Sequence, residues 1–156
     1  MRLFAALYPP EDVCDELRRR LRDVTTRLTP VERWHITMAF LGEIPDEDLP
    51  SVERAVTRAA GGGPIRLRLA GSGSFGRAVT WVGVEGDLGA LYGALRRALD
   101  LPDDRPFTPH LTVSYHGSPQ LRAALREYAG SSWEAAEIVL VRSADGYEKL
   151  RTWQLA

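Results

Sequence analysis

The sequence predicts an α+β fold that forms a single domain over residues 1–156 and contains two related halves. Apolar residues at the 3.6-residue spacing of helices occur between short alternating segments that are typical of strands. A length of 156 residues, with 44% hydrophobic and 26% charged residues, suits one globular domain or two small lobes that share one core. Two six-residue segments, 35–40 and 110–115, repeat one pattern, which indicates an internal duplication.

The first third of the chain predicts a strand, a helix, a second strand and a second helix. The short apolar run at 2–8 ends at a Pro-Pro pair and predicts a strand. Apolar residues at helical spacing predict an amphipathic helix over 11–28, and alternation predicts a strand over 34–41. Asp46 is a suitable N-cap for a helix over 47–60, which a run of glycines ends.

The remaining elements follow from the same two periodicities. Alternating segments predict five further strands, over 65–70, 79–85, 110–116, 135–142 and 147–155. Asp87 is expected to cap a helix over 88–100, residues 101–109 form a proline-rich loop, and a fourth helix is predicted over 118–129. The glycine-rich turn at 71–76 matches a bare G-x-G-x-x-G, but a strand rather than a helix follows it, so we do not expect dinucleotide binding there.

Charge and cysteine content restrict the classes of function. The formal net charge is -1, so phosphate binding would depend on a local site rather than on the overall field. Cys14 is the sole cysteine, which excludes a disulfide within the chain and agrees with a reducing cytoplasm. We expect a cytoplasmic location on that ground, and no apolar run is long enough to cross a membrane.

The repeated segments, His-Ile-Thr-Met-Ala-Phe and His-Leu-Thr-Val-Ser-Tyr, predict two strands with one polar face each. In the first strand, the polar face is expected to carry His35, Thr37 and Ala39, and the apolar face Ile36, Met38 and Phe40. In the second strand, the polar face is expected to carry His110, Thr112 and Ser114, and the apolar face Leu111, Val113 and Tyr115. If the halves are related by a pseudo-two-fold axis, the two polar faces meet across one groove.

Two imidazoles that face one groove suit phosphodiester cleavage. Histidine titrates near neutrality, so one ring can take a proton from water while the other gives a proton to the leaving oxygen. Thr37 and Thr112 can hold the non-bridging phosphate oxygens. A metal site is the rival interpretation, with His116 as a third ligand, but the motifs offer threonine where carboxylates would be wanted. We therefore predict no metal and no cofactor.

The sequence resembles the 2H phosphoesterase superfamily, and more closely the bacterial and archaeal RNA 2′,3′-cyclic phosphodiesterases, also called 2′-5′ RNA ligases. The two His-x-Thr motifs with their flanks carry the resemblance, and weaker stretches support it over nearly the whole chain. These stretches are Arg2–Ala6, Trp34–Glu43, Trp81–Val84, Arg105–Val113 and Val139–Ser143. One departure is Tyr115, where members of the family often have arginine.

The resemblance implies a bilobal fold, with lobes of antiparallel sheet, outer helices and a central groove. It implies metal-independent hydrolysis of a terminal 2′,3′-cyclic phosphate to a 2′-phosphate, with reversible 2′-5′ ligation left open. It also implies that His35 is the proton donor and His110 the proton acceptor, and that Thr37 and Thr112 bind phosphate. The residues themselves identify the histidine pair and leave this order open.

Two other functions remain open at this point. One is a phosphodiesterase of the same class that acts on small cyclic nucleotides, and the other is a nucleotide-binding module without turnover. RNA would need contacts from arginines and aromatic side chains near the groove. The candidates for such contacts are Arg33, Trp34, Phe75, Arg77 and Tyr147, although a tryptophan such as Trp34 is more typical of a core than of a stacking surface. No membrane and no obligate protein partner are predicted.

Overall fold

The computed structural model describes residues 1–102 and 106–156, so part of the predicted loop, including Arg105, lies outside the described residues. The described part of the chain contains eight strands and four α-helices, which confirms the α+β class. The elements are β1 Arg2–Leu7, α1 Glu11–Leu21, β2 Ile36–Glu43, α2 Leu49–Ala59, β3 Ile65–Phe75, β4 Val79–Glu85, α3 Gly89–Ala98, β5 His110–Ser114, α4 Pro119–Leu125, β6 Ala129–Ala135, β7 Glu137–Ser143 and β8 Tyr147–Gln154. Among these elements, no helix combines the length and apolar character that a membrane crossing needs.

The strands form one antiparallel sheet in the order β6-β3-β4-β5-β2-β1-β7-β8. From the two edges inward, the halves read β6-β3-β4-β5 and β8-β7-β1-β2, so the strand–helix–strand units β1-α1-β2 and β4-α3-β5 occupy matching places. The halves meet at the centre, where Ile36 of β2 pairs with Leu111 of β5. The internal duplication stays a prediction, and this mirrored order supports it.

The main hydrophobic core lies between one face of the sheet and the helices. Ile36 and Met38 of β2 and Leu111 and Val113 of β5 are buried in the same cluster as apolar residues of all four helices. A smaller cluster on β1 and β7 consists of Phe4, Ala6, Val139 and Val141. The two clusters contain alternate residues of β1 and β7, so they lie on opposite faces of the sheet.

Helices α1 and α4 are both several residues shorter than predicted. Helix α1 ends at Leu21, and the following segment crosses to β5, where the Thr29 amide donates to the Val113 carbonyl at 2.8 Å. Helix α4 begins after its N-cap Ser118 as predicted but ends at Leu125. Glu127 then has a φ of 60°, a left-handed conformation that no helix continues through.

Strand β6 is the element that the sequence did not predict. Residues 129–135 pair with β3 at the edge of the sheet, from Ala129 opposite Ala70 to Ala135 opposite Ile65. Glycine, serine and alanine have weak strand propensity, so only the neighbouring strand makes this segment extended. Strand β3 is also longer than predicted and continues through the expected turn to Phe75, paired with β4.

Both predicted aspartate caps were wrong. Asp46 is the first residue of a short 3₁₀ turn, Asp46–Asp48, and its carboxylate lies 3.8 Å from the N-terminal ammonium. Helix α3 starts after Leu88 rather than Asp87, and no side chain caps it. In both cases a turn precedes the helix, which displaces the helix start beyond the reach of the predicted cap.

Candidate active site

A cavity of about 660 Å³ lies on the face of the sheet opposite the helices, where the two halves meet. The four predicted site residues, His35, Thr37, His110 and Thr112, all line it. Each histidine directly precedes one member of the central pair Ile36 and Leu111, and each threonine directly follows it. The pairing of β2 with β5 therefore brings the two His-x-Thr motifs together.

The two imidazoles are held in the same way. His35 Nδ1 lies 2.6 Å from the carbonyl oxygen of Arg33, and His110 Nδ1 lies 2.7 Å from the carbonyl oxygen of Thr108. A carbonyl only accepts, so each Nδ1 carries the hydrogen and donates it. The Nε2 atom of each ring is left to exchange a proton with a ligand in the cavity.

Aromatic side chains surround both imidazoles. His35 stacks on Phe4, with ring centroids 4.8 Å apart, and meets the edge of Tyr147 at 5.4 Å. His110 lies 4.9 Å from the ring of Phe75 and 5.6 Å from that of Trp81. These contacts fix the orientation of each ring and exclude water from one side of it.

The pKa of His35 is lowered from 6.5. Burial is the largest cause because it disfavours the charged imidazolium, and the nearby His110 adds like-charge repulsion. The hydrogen bond to the Arg33 carbonyl acts in the opposite direction and stabilises the charged ring. In the free protein the environment of His35 therefore favours the neutral ring.

The predicted alternation holds only for the first half of each motif. In β2, Met38 and Ala39 are both buried, and the pairing with β1 shifts by one residue at this point. In β5, Val113 and Ser114 are both buried, and the pairing with β4 shifts at the equivalent place. Each strand therefore contains a β-bulge at this place, which inserts one residue and reverses the faces directly beyond it, and the pairing of β2 with β1 shifts a second time after Phe40.

The two bulges correct the predicted positions of four side chains. Phe40 and Tyr115, predicted to face the core, are 69% and 58% exposed and line the cavity. Ala39 and Ser114, predicted to accompany the histidines, are buried instead. A single sequence contains no signal for these bulges, because the pattern of apolar residues fits uninterrupted alternation equally well.

The predicted RNA-contact residues have different surroundings. Arg33 and Tyr147 line the cavity, with the Arg33 guanidinium carbon 5.2 Å from the centre of the Tyr147 ring. Phe75 is exposed beside His110. Trp34 was a wrong candidate, since it is buried and its indole nitrogen donates to the Thr29 carbonyl at 3.0 Å. Arg77 is exposed and is not part of the cavity lining.

The rival metal site lacks a suitable set of ligands. His116 lies beyond the end of β5 and borders a neighbouring, smaller cavity rather than the one that holds His35 and His110. Within residues 1–102 and 106–156, no three histidine, cysteine or carboxylate side chains are grouped so that they could hold a metal ion.

Comparison with known proteins connects this geometry to one family. Residues 9–146 match the model of the 2′-5′ RNA ligase superfamily. The chain is 31% identical to the RNA 2′,3′-cyclic phosphodiesterase of Thermus thermophilus, over 92% of this chain and 82% of that protein. It is 30% identical to the protein of the same name from Archaeoglobus fulgidus, over 88% of this chain and 86% of that one.

Solved structures share the fold over almost their entire length. The crystal structure of TT0787 of Thermus thermophilus superposes with a TM-score of 0.76 and 30% identity, and covers 99% of this chain and 98% of that one. The structure of LigT of E. coli complexed with 3′-AMP superposes with a TM-score of 0.77 and 25% identity, and covers 98% of this chain and 96% of that one.

Proposed function

Because the chain belongs to the 2′-5′ RNA ligase superfamily, we propose that it hydrolyses the terminal 2′,3′-cyclic phosphate of RNA to a 2′-phosphate, with His35 and His110 as its acid–base pair. The observation that carries the proposal is the matched pair of imidazoles. Both rings line one cavity, and each donates from Nδ1 to the carbonyl two residues earlier. Both Nε2 atoms are thereby left for the substrate.

The reaction needs one proton removed and one proton supplied. In the proposed mechanism, Nε2 of His110 accepts a proton from water as the water oxygen bonds to phosphorus. The bond between phosphorus and the 3′ oxygen breaks, and Nε2 of His35 gives its proton to that oxygen. The product carries a 2′-phosphate and a 3′-hydroxyl. The same sequence, with a 5′-hydroxyl in place of water as the attacking group, would form a 2′-5′ linkage and a 3′-hydroxyl.

The lowered pKa of His35 is compatible with its role as proton donor once substrate is bound. In the free protein, burial and the neighbouring His110 favour the neutral ring. A cyclic phosphate carries a negative charge, and an opposite charge beside an imidazole favours its protonated form. Substrate binding would therefore raise the pKa of His35. The protonated His35 ring would then hold the proton that the leaving oxygen needs.

Thr37 and Thr112 are the proposed phosphate-binding residues. They line the same cavity as the histidines and lie two positions after them on the same face of their strands, ahead of each bulge. Their hydroxyls can donate to the non-bridging oxygens, where negative charge grows as water adds. The cavity lining also contains Arg2 and Arg33, whose charges would offset that of the phosphate.

Small cyclic nucleotides are the alternative substrates. A cavity of about 660 Å³ falls within the usual range for small-molecule sites, so its size alone admits a mononucleotide. A nucleotide-binding module without turnover is the other alternative. The decisive difference is turnover, which the histidine pair would provide.

The first test measures hydrolysis of an RNA oligonucleotide that ends in a 2′,3′-cyclic phosphate, in the presence of EDTA. Wild type is compared with His35→Ala and His110→Ala, after thermal unfolding has shown that each variant is folded. EDTA-resistant conversion to a 2′-phosphate, lost in both variants, is the expected result. A folded wild type without turnover on RNA would overturn the proposal, and turnover of cyclic mononucleotides alone would then establish the alternative.

A further inference from the structure

A second cavity of about 290 Å³ adjoins the histidine cavity. The residues that line it are Arg27, Leu28, Thr29, Pro30, Arg33, Tyr115 and His116. Three of them, Thr29, Arg33 and Tyr115, also line the histidine cavity, so the two spaces share a wall. A ligand held by the histidines could therefore extend into the second cavity, which we call the side pocket.

The side pocket has the chemistry of an anion site. Its lining includes two arginines, a histidine and a tyrosine, and none of the described residues that line it is aspartate or glutamate. Arg27 and Arg33 take part in no ion pair with a carboxylate of residues 1–102 or 106–156. The Arg33 guanidinium donates one hydrogen bond to the Asp145 carbonyl at 3.3 Å, and its other N–H groups are left for a ligand.

Hydrogen bonds connect the walls of the side pocket to β5. The Ser114 hydroxyl donates to the Arg27 carbonyl at 2.7 Å and accepts from the His116 amide at 2.9 Å. The Thr29 amide donates to the Val113 carbonyl at 2.8 Å. Because the bulge in β5 turns Ser114 inward, one buried hydroxyl holds both walls of the side pocket in place next to Thr112. A binding site that is held in this way needs little rearrangement when a ligand enters.

We propose that the side pocket binds the phosphodiester group that precedes the terminal nucleotide, so that the protein prefers RNA ends to cyclic mononucleotides. The inference rests on the proposed function and narrows its substrate class. A mononucleotide with a cyclic phosphate has no second phosphate and would leave the side pocket unused. An oligonucleotide has a phosphate one nucleotide upstream, which the Arg27 and Arg33 guanidinium groups can hold by charge-assisted hydrogen bonds.

The experiment compares three substrates: a 2′,3′-cyclic mononucleotide, a dinucleotide that ends in the same cyclic phosphate, and that dinucleotide with an uncharged methylphosphonate linkage. For wild type we expect kcat/KM to be about tenfold to a hundredfold higher with the charged dinucleotide than with the uncharged one, the usual size of one or two hydrogen bonds to a charged group. The uncharged dinucleotide should resemble the mononucleotide.

Single substitutions test which residues produce the preference for the charged linkage. Arg27→Gln and His116→Gln should reduce the preference for the charged linkage and leave kcat/KM on the mononucleotide unchanged. Arg22→Gln is the matched control, since Arg22 is exposed and belongs to the lining of neither cavity. It should retain the full preference.

The outcomes separate this inference from the proposed function. Equal kcat/KM of wild type on the charged and uncharged dinucleotides would overturn the side-pocket site while the cyclic phosphodiesterase reaction stands. The same conclusion would follow if Arg27→Gln and Arg22→Gln had identical effects on all three substrates. A wild type that hydrolyses none of the three would overturn the proposed function, and the side-pocket site with it.

Discussion

Replacement of Ser114 by alanine tests whether the bulge in β5 holds the site together. Ser114 is completely buried, and its hydroxyl joins the Arg27 carbonyl to the His116 amide. Ala39 occupies the equivalent position in the bulge of β2, so the backbone conformation itself accepts an alanine. The substitution should therefore remove the two hydrogen bonds and leave the bulge intact.

The expected loss follows from those two bonds. A partner left unsatisfied in a buried place typically costs about 1–3 kcal/mol, and both partners here are only partly buried. We therefore expect Ser114→Ala to lower the free energy of unfolding by about 2 kcal/mol. For a chain of this size, that corresponds to a fall in Tm of roughly 4–8 °C.

Thermal and urea unfolding measure the stability, and kcat/KM on the cyclic mononucleotide and dinucleotide measures the site. Besides the stability loss, Ser114→Ala should weaken turnover of the charged dinucleotide more than that of the mononucleotide, because Arg27 and His116 lose their shared anchor. Ala39→Ser is the reciprocal control: it places a hydroxyl in the buried bulge of β2 and should destabilise the fold without changing the substrate preference. A Ser114→Ala protein as stable as wild type would refute the argument.

Three further predictions concern the histidines, the threonines and a helix cap. NMR titration of His35 should give a pKa below 6.5. Between that pKa and 6.5 the unfolded chain binds more protons than the folded protein, so the free energy of unfolding should rise with pH across this range. His35→Asn should flatten the rise. Thr37→Val and Thr112→Val should each lower kcat by about 10²–10³, whereas the exposed control Thr152→Val should not, and equal kcat values would contradict the phosphate-binding role. Ser118 accepts from the Leu121 amide at 3.0 Å as the N-cap of α4, so Ser118→Ala should lower the free energy of unfolding by about 1 kcal/mol with turnover retained, and an unchanged Tm would contradict this.

The missed edge strand and the shortened first helix share one physical cause. Helix α1 stops at Leu21, where the chain turns to bond with β5, and β6 is extended because β3 supplies its partner. Local periodicity indicates which residues are apolar and on which face they lie. A segment of weak strand propensity, however, becomes extended only when it pairs with a neighbouring strand. The edge strand and the helix ends therefore depended on contacts between distant parts of the chain.

The sequence predicted the four His-x-Thr residues of the site but few of the aromatic side chains that surround them. The repeated His-x-Thr pattern was sufficient to name His35, Thr37, His110 and Thr112, because strand alternation places residues two apart on one face. The aromatic residues that hold the imidazoles were not predicted, apart from the candidates Phe75 and Tyr147. Phe4 looks like any core residue in the sequence, and only the packing of β1 beside β2 places it against His35.

The sequence by itself determined the α+β class, the paired motifs and the residue types that point to two-histidine chemistry, because these depend on composition and on spacing along one strand. Tertiary structure alone decided which side chains surround that pair. The bulges in β2 and β5 depend on pairing with β1 and β4, and they reverse the outer part of each motif, so that Phe40 and Tyr115 face the cavity and Ser114 anchors the side pocket. A one-residue insertion in a ladder is a property of two strands together, so the residues of one strand cannot specify it.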